Sequence, residues 1–276
     1  MKIAFALTCC GKPDITPICL YALAQMEVPN VSVAVFLDDT NDQITQGMQA
    51  GLNLLTARHN LLYRRTQADG LGADRAKILQ RALNSEPDLI VSLDSDVALP
   101  EHFLTSTLQN LQYLENQPWG FIGIKNTDVL DFNREGKNLQ QRFNPDNEMQ
   151  RWMEVEDYNE RLWKSYSASG GCIIFNAREL EKVAADVFPL CRTLNFAEDG
   201  LICMALASKV PCFTAKSPTA LHFRSRTISR MSEQKLNLSE EAAVLLALKS
   251  KNLISDEVTD FLNGCRQTHE RTLKQQ

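Results

Sequence analysis

Residues 89–100 read LIVSLDSDVALP, and the first part of this stretch decides the predicted fold. The run Leu89–Leu93 is rich in Leu, Ile and Val and is too short for a helix, which predicts a buried strand. Similar runs at Ile3–Leu7 and Val31–Leu37 predict two earlier strands, and segments of helical periodicity separate all three. Strands that alternate with helices indicate βαβ units. We therefore expect an α/β fold whose mostly parallel central sheet is flanked by helices.

The rest of the chain carries weaker signals of the same kind. Short apolar runs predict further strands at Phe121–Ile124, Cys172–Phe175 and Pro211–Ala215. Helical periodicity predicts helices at about 16–26, 42–57, 73–84, 100–115, 177–185 and 198–208. The polar and aromatic segment 125–168 is predicted as an insertion over the sheet, and the basic segment 216–235 as a loop. Two helices at about 239–249 and 256–263 would form a small C-terminal extension.

The composition is typical of a soluble globular domain. The 276 residues carry 29 Lys and Arg against 34 Asp and Glu, a net charge of −5, and 44% of them are hydrophobic. These values exclude a disordered tail, a collagen-like repeat and a small disulfide scaffold. Because contacts with phosphate backbones usually need a basic face, the mild acidity argues against a nucleic-acid partner.

The cysteines and the apolar runs bear on the cellular compartment. Eight Cys are scattered without a C-x-x-C pair, and most lie inside apolar runs, which is typical of reduced thiols in a cytoplasmic protein. The run Ile3–Leu7 is too short for the apolar part of a signal peptide, and no run approaches the ~18 residues of a membrane span. We therefore expect a soluble, cytoplasmic protein, with peripheral membrane contact and the oligomeric state left open.

Carboxylates follow two of the predicted strands. Asp38 and Asp39 come after the second strand, and Asp94 and Asp96 come after the third. In parallel sheets, ligands bind beyond the carboxyl ends of the strands. Asp94 and Asp96 project to the same side of an extended chain, where two carboxylates suit Mg²⁺ or Mn²⁺. The structural alternative is that one of them caps the helix that follows.

Four blocks of sequence occur in a recognisable order. They are IAFALTCCGKP with VSVAVFLDDTND, then DGLGADRAKILQRAL before SLDSD, then SASGGCIIFNARELEKV, and finally FAEDGLICMAL. The ordered set, over about residues 1–225, resembles the family 2 glycosyltransferases, which are nucleotide-diphospho-sugar transferases of the GT-A fold. The resemblance implies a Rossmann-like domain over 1–235, with a nucleotide-sugar half at about 1–100 and an acceptor half at about 101–235. Residues 236–276 would be a helical extension and tail.

On the donor side, the resemblance implies residues for the nucleotide and for a metal ion. Thr8 and either Asp38 or Asp39 would contact the nucleobase of a uridine diphosphate-sugar, the donor class that is frequent in the family. Asp96 would hold Mn²⁺ or Mg²⁺, with Asp94 on the ribose or on metal-bound water. Further donor-side residues would be Arg75, which matches an Arg of the family, and His222 as a metal ligand. Independently of the resemblance, Arg224, Arg226 and Arg230 would serve as phosphate clamps, because a guanidinium matches phosphate geometry. The structural alternatives are a half-buried polar histidine and a solvated basic face.

On the acceptor side, the resemblance implies an inverting transfer to an unidentified hydroxyl. Asp199 would be the general base and Glu198 would orient the acceptor, while Gly170 and Gly171 would line the acceptor side. The alternative for the two acids is electrostatic, because acids in the first turn of a helix complement its dipole. Two aromatic residues of the predicted insertion would either stack on a sugar ring or pack in the core, namely Trp152 and Trp163.

The chain departs from the family pattern at several points. Lys12 lies in a first loop that usually carries Thr-x-Asn-Arg, so either Lys12 replaces that Arg or the loop holds the base differently. Ala76 replaces the usual Asn after Arg75. The Q-x-x-R-W motif of processive synthases is missing, which favours transfer of a single sugar. Two other functions remain open, a nucleotidyltransferase and a non-catalytic nucleotide-sugar-binding protein. The first would need a glycine-rich loop for a triphosphate, and the loop after the first strand has only Gly11.

Overall fold

The computed structural model describes residues 1–41, 43–114, 117–130, 154–168, 171–194, 198–224, 244–260 and 263. The strands of this part are β1 Lys2–Cys9, β2 Ser32–Asp39, β3 Asn60–Arg65, β4 Leu89–Asp94, β5 Val97–Ala98, β6 Phe121–Leu130, β7 Glu154–Asp157, β8 Leu162–Ser165, β9 Cys172–Asn176 and β10 Phe213–Arg224. The helices are α1 Thr16–Gln25, α2 Gln46–Arg58, α3 Leu71–Leu83, α4 Phe103–Gln112, α5 Ala177–Cys191 and α6 Glu198–Ala207. Residues 244–250 and 256–260 are also helical.

All described strands belong to one twisted sheet. Its order is β3-β2-β1-β4-β9-β6-β10-β8-β7, and β5 pairs with β10 beside this path. The pairings give β1, β2, β3, β4, β6, β7 and β10 one direction, and β5, β8 and β9 the opposite one. The prediction of a mostly parallel α/β sheet is therefore confirmed.

Apolar side chains cover both faces of the sheet. On β1, Ala4 and Ala6 join the core under α3, α5 and α6, whereas Ile3, Phe5 and Leu7 join the core under α1, α2 and α4. This alternation follows from the period of two along a strand, and burial on both faces explains why Ile3–Leu7 of β1 is apolar throughout. Two layers of helices thus enclose the sheet and leave its carboxyl edge open for polar residues.

The C-terminal segment packs against the first of these cores. Its buried side chains belong to the same hydrophobic cluster as α5 and α6, namely Val244, Leu245, Leu248, Leu253 and Val258. The backbone N of Ser255 donates to Ser208 Oγ at 3.0 Å, and Tyr166 donates to the carboxylate of Glu257. The predicted domain boundary near residue 235 falls outside the described residues and stays a prediction.

Some elements differ from the prediction for identifiable reasons. The strands β3, β7 and β8 were not predicted, because they are short and lack a continuous apolar run. The segment 216–224, predicted as a loop, continues β10 after an irregularity in register between Ala215 and Thr219. The predicted insertion also contributes to the sheet, since residues 125–130 lengthen β6 and β7 and β8 follow; residues 131–153 lie outside the described part.

Two further expectations concern thiols and membranes. Seven cysteines of the described part carry free thiols, and all of them except Cys10 are buried. Cys265 lies outside the described residues. Within the described ranges, the longest apolar helices are too short or too polar to cross a bilayer.

Candidate active site

Three polar residues form a row across the carboxyl edge of the sheet. In the parallel register, Thr8 of β1 lies between Asp38 of β2 and Asp94 of β4. Residues in register on parallel strands face the same side, and this side is the one covered by α3. Thr8 is buried, and its hydroxyl has no hydrogen-bond partner among the described residues. Because an unpaired buried hydroxyl is costly, this atom is suited to contact a bound ligand.

Arg75 of α3 lies under this row and is almost completely buried. Its Nη1 donates to Ser92 Oγ at 3.0 Å, and its Nη2 forms an ion pair with Asp94. Burial disfavours the charged guanidinium, but the carboxylates of Asp94 and Glu198 outweigh this and raise the pKa of Arg75 above its usual value. Arg75 therefore stays charged inside the protein, where it neutralises acidic neighbours.

Gly72 explains how α3 brings Arg75 to this position. A Cβ at Gly72 would lie 2.0 Å from the carbonyl oxygen of Cys191 and 2.7 Å from that of Leu194. One oxygen belongs to the last residue of α5 and the other to the backbone three residues further on, so only a glycine permits this close approach. The first turn of α3 is thus pressed against the segment that leads towards α6.

The acidic pair at the start of α6 meets Arg75. The Nε of Arg75 lies 3.6 Å from Glu198 Oε1. Glu198 Oε2 is buried without a hydrogen-bond partner in the described part. Burial raises the pKa of Glu198, and Arg75 partly offsets this effect. Burial and the neighbouring Glu198 carboxylate raise the pKa of the half-buried Asp199 well above its usual range. Asp199 is therefore a carboxyl group whose proton affinity suits acid–base chemistry near neutral pH.

Asp96 is held on the other side of the row by Lys12 and His222. Its Oδ2 forms an ion pair with Lys12 Nζ and lies 3.2 Å from His222 Nε2. Burial alone would raise the pKa of Asp96, but His222 and Lys12 outweigh it and lower the pKa to about 2. The proximity of His222 follows from the pairing of β5 with β10, which puts His222 opposite Val97. A backbone hydrogen bond from Phe223 N to the Asp96 carbonyl, at 2.8 Å, fixes the same turn.

The donor atoms at Asp96 fit a divalent cation in part. One carboxylate oxygen and one imidazole nitrogen converge there, a pair that suits Mn²⁺ better than Mg²⁺, which prefers oxygen ligands throughout. In the described ranges, no three His, Cys, Asp or Glu side chains are grouped as a metal site, because Asp94 is turned to Arg75. The remaining ligands would have to come from water and from phosphate oxygens of a substrate.

The two acids at the end of β2 face opposite sides of the sheet. Asp38 accepts hydrogen bonds from Arg64 Nε and Nη2 at 3.3 and 2.7 Å, and from Arg81 Nη1 at 2.6 Å. Asp39 is fully buried and accepts from Asn41 N and Nδ2 at 3.0 and 2.8 Å and from the Tyr63 hydroxyl at 3.0 Å. Asp38 thus shares a face with Thr8, while Asp39 braces the loop that follows β2.

One further predicted binding residue, Gly171, lies at the margin of this site. Gly171 is close to it, since its carbonyl accepts from Asp94 N at 3.0 Å. A Cβ at Gly171 would lie 2.4 Å from Asn126 Nδ2, so the glycine also serves a tight packing contact. Gly170 and Arg226 lie outside the described residues, as does Arg230.

Of the two aromatic residues predicted to stack on a sugar or to pack in the core, Trp163 lies in the described part. Lys125 Nζ lies 3.6 Å from the centroid of its ring, and Lys216 Nζ lies 5.0 Å from the same point. The ring face therefore carries a cation–π contact with Lys125. Trp152 lies outside the described residues.

The contacts of two residues of the site are not predicted from sequence. Lys12 is expected either to replace the Arg of the family's first loop or to lie in a loop that holds the base differently, and nothing in the sequence indicates that it meets Asp96. Ser92 had a usable signal, because it is the single polar residue in the run Leu89–Leu93 and marks the face that later carries Asp94.

Comparisons with known proteins give the class of fold. The sequence matches no protein-family model and no curated protein. Among solved structures, S. aureus TarS 1-349 in complex with UDP-GlcNAc superposes with a TM-score of 0.55 at 16% identity, over 90% of this chain and 66% of that one. The complex of the same protein with UDP superposes with a TM-score of 0.55 at 19% identity, over 90% of this chain and 70% of that one. The mannosyltransferase PcManGT from Pyrobaculum calidifontis, in complex with GDP-Man and Mn2+, superposes with a TM-score of 0.54 at 13% identity. The match covers 92% of this chain and 65% of that one.

These likenesses define the architecture. The chain has the GT-A-type fold of glycosyltransferases, with the predicted central sheet between two layers of helices. It spans about two thirds of the length of the solved TarS 1-349 and PcManGT chains.

Proposed function

We propose that the protein is a glycosyltransferase that transfers a single sugar from a nucleotide-diphospho-sugar to an acceptor hydroxyl. The observation that carries this proposal is the buried contact of Arg75 with both Asp94 and Glu198. It brings the D-x-D segment and the Glu-Asp segment, which are far apart in sequence, to one point of a GT-A-type fold. The four sequence blocks in their order further support an assignment to family 2.

The donor would lie across the row formed by Asp38, Thr8 and Asp94. The unpaired hydroxyl of Thr8 supports this placement, because a bound nucleotide would supply its missing hydrogen bond. Either Asp38 or Asp39 would accept a hydrogen bond from the nucleobase, for which a uridine diphosphate-sugar is the favoured donor. In this arrangement Arg75 would act from below as a positioning residue, since its guanidinium is buried.

Asp96 and His222 would hold a divalent cation, with Mn²⁺ favoured over Mg²⁺ by the imidazole ligand. Such a cation supplies Lewis-acid neutralisation of the negative charge on the leaving nucleoside diphosphate. Asp94 would face the ribose or a water molecule of this region while Arg75 fixes the orientation of its carboxylate. Arg226 would clamp the phosphates, because a guanidinium matches phosphate geometry.

Asp199 would act as the general base. It would accept the proton of the acceptor hydroxyl as that oxygen attacks the anomeric carbon, and the nucleoside diphosphate would leave from the opposite side in an inverting transfer. The raised pKa of Asp199 supports this role, because a stronger base takes the proton more readily at neutral pH. Glu198 would orient the acceptor and tune Asp199, and Gly171 would line the acceptor side.

A thermal-shift screen of UDP, GDP, CDP and dTDP, each with and without Mn²⁺, tests the donor class. A ligand that binds only the folded protein raises its melting temperature, so UDP with Mn²⁺ should give the largest shift. Stabilisation by GDP and not by UDP would overturn the uridine assignment, and no shift with any nucleotide would overturn the proposed function.

A second measurement distinguishes an enzyme from a sensor of nucleotide-sugars. A GT-A transferase slowly hydrolyses its donor when the acceptor is missing, so UDP should accumulate from UDP-sugar in the presence of metal ion. Binding without any release of UDP would indicate a non-catalytic binding protein.

A further inference from the structure

The loop between β1 and α1 holds Lys12 at a fixed place. Gly11 adopts φ +67°, a conformation that favours glycine, and its backbone N donates to Asn41 Oδ1 at 2.8 Å. The carbonyl of Lys12 accepts from Ile15 N at 3.2 Å, and from the backbone N and hydroxyl of Thr16 at 3.0 and 2.8 Å. The backbone around Lys12 is thus anchored both to Asn41, in the loop after β2, and to the start of α1.

The side chain of Lys12 reaches from this anchor to Asp96. Lys12 Nζ and His222 Nε2 contact the same oxygen, Asp96 Oδ2. The side chain of Asp96 is 3% exposed, whereas that of Lys12 is 33% exposed. The carboxylate is therefore fixed in the protein interior, while the ammonium group lies at the boundary between the carboxylate and the solvent.

This geometry makes Lys12 a competitor of a metal ion. A cation held by Asp96 and His222 would use lone pairs of the oxygen that now accepts from Lys12. Two positive groups on one carboxylate oxygen repel each other, so the ammonium group must leave when the cation binds. A nucleoside diphosphate bound beside that cation would present phosphate oxygens within the range of the flexible lysine side chain.

We propose that Lys12 is an exchangeable counterion, which neutralises Asp96 in the ligand-free protein and pairs with the donor diphosphate once a cation has taken its place. The inference rests on the proposed function for the identity of the diphosphate. Its first half, the competition for Asp96, requires no nucleotide. The buried carboxylate thereby has a positive partner in both states, and the ligand-free site avoids an uncompensated charge.

The test is the substitution Lys12→Met, which keeps the length of the side chain and removes its charge. Titration of the variant with Mn²⁺ alone, followed by electron paramagnetic resonance of the free ion, should show binding about tenfold tighter than in the wild type. Isothermal titration of UDP in saturating Mn²⁺ should show binding about tenfold weaker. The opposite signs distinguish an exchangeable counterion from a residue that only supports the fold, which would weaken both.

Three further variants make the test specific. Lys182→Met removes a lysine that pairs with Glu179 on α5, at 2.6 Å, and should leave both affinities unchanged. Lys12→Arg retains the charge and should resemble the wild type. Adding Asp96→Asn to Lys12→Met should abolish the gain in Mn²⁺ affinity. If Lys12→Met does not fold by circular dichroism, Lys12→Gln takes its place, because it also removes the charge while keeping a polar side chain.

The outcomes separate the two proposals. Mn²⁺ affinity that is unchanged or lower in Lys12→Met, or undetectable in both proteins, overturns the competition for Asp96. An unchanged UDP affinity overturns the transfer of Lys12 to the diphosphate. Failure of the wild type to bind any nucleoside diphosphate overturns the proposed function, and tighter binding of Mn²⁺ alone by the variant would still support the competition.

Discussion

Arg75 Nε and Glu198 Oε1 lie 3.6 Å apart in the protein interior, and the same guanidinium also contacts Asp94. One buried cation thus serves two acids that come from different ends of the sequence. Because each acid has little other compensation, the positions of the D-x-D turn and of the α6 N-terminus depend on each other through Arg75. A shift of the D-x-D turn would therefore displace Arg75 and change its contact with the N-terminus of α6.

Arg75→Met should therefore destabilise the fold strongly. Removing one member of a buried ion pair leaves its partners as uncompensated charges, which typically costs about 3–5 kcal/mol. Arg64→Met is the matched control, since Arg64 is 47% exposed and Asp38 keeps its contact with Arg81; its loss should stay below about 1 kcal/mol. Urea denaturation of both variants measures the difference, and equal losses would show that Arg75 has no special structural role.

Thr8→Val should change stability and ligand affinity in opposite directions. The valine removes a buried hydroxyl that lacks a partner, so the ligand-free protein should gain roughly 1 kcal/mol in free energy of unfolding. The affinity for UDP should fall about tenfold if the nucleotide uses that hydroxyl. Thr107→Val in α4 is the control, because Thr107 Oγ1 is likewise buried without a partner in the described part. It should raise stability and leave UDP binding unchanged.

Asp199→Asn should retain donor binding and lose transfer. The amide keeps the shape of the carboxylate but cannot take the proton of the acceptor, and a positioned general base usually contributes about 10²–10⁴-fold in rate. Single-turnover transfer measures the loss, and isothermal titration of UDP checks that binding persists. Normal turnover in the variant would remove Asp199 from the mechanism and point to Glu198 or to another carboxylate.

Glu198→Gln should move the acid limb of the pH–rate profile. The negative charge of Glu198 helps to raise the pKa of Asp199, so its removal lowers that pKa. A base with a lower pKa remains deprotonated at lower pH, and kcat/KM should therefore retain more of its maximum under acidic conditions than in the wild type. A limb that stays in place, or moves to higher pH, would contradict the coupling of the two acids.

Gly72→Ala should destabilise the protein, although alanine usually favours a helix. The added Cβ would clash with two backbone oxygens that cannot move independently, at a cost of at least about 1–3 kcal/mol. Gly200→Ala in α6 is the control, since its Cβ would meet only the terminal methyl of Met204, at 3.4 Å. That variant should be neutral or more stable by up to about 1 kcal/mol. Thermal denaturation of the two variants provides the comparison.

The parts of the fold that depend on local residue patterns could be predicted from the sequence. Fully buried strands such as β1, β2 and β4 are continuous apolar runs, and their polar ends pointed to the edge where Asp38 and Asp94 lie. The edge strand β3 could not be predicted from the sequence, because it has only six residues and these are partly buried or exposed. The sequence of β10 predicts only a short strand followed by a loop, because the register of this strand is irregular between Ala215 and Thr219.

The contacts within the candidate site were harder to predict. The meeting of His222 with Asp96 depends on the pairing of β5 with β10, and β5 has only two residues. Arg75 and Glu198 meet because Gly72 allows α3 to approach the end of α5 closely, a distance that no residue pattern reports. Sequence motifs thus indicated the candidate site residues, whereas tertiary packing determined their partners.

The placement of β9 has a consequence for the order in which the chain can assemble. β4 has β1 on one side, and its other side is covered by β9, which is synthesised only when residues 172–176 emerge. Until then, a nascent chain carries a central apolar strand with an open hydrogen-bonding edge, and such edges pair readily with other chains. The N-terminal half therefore exposes this edge to pairing with other chains until its own later segment arrives.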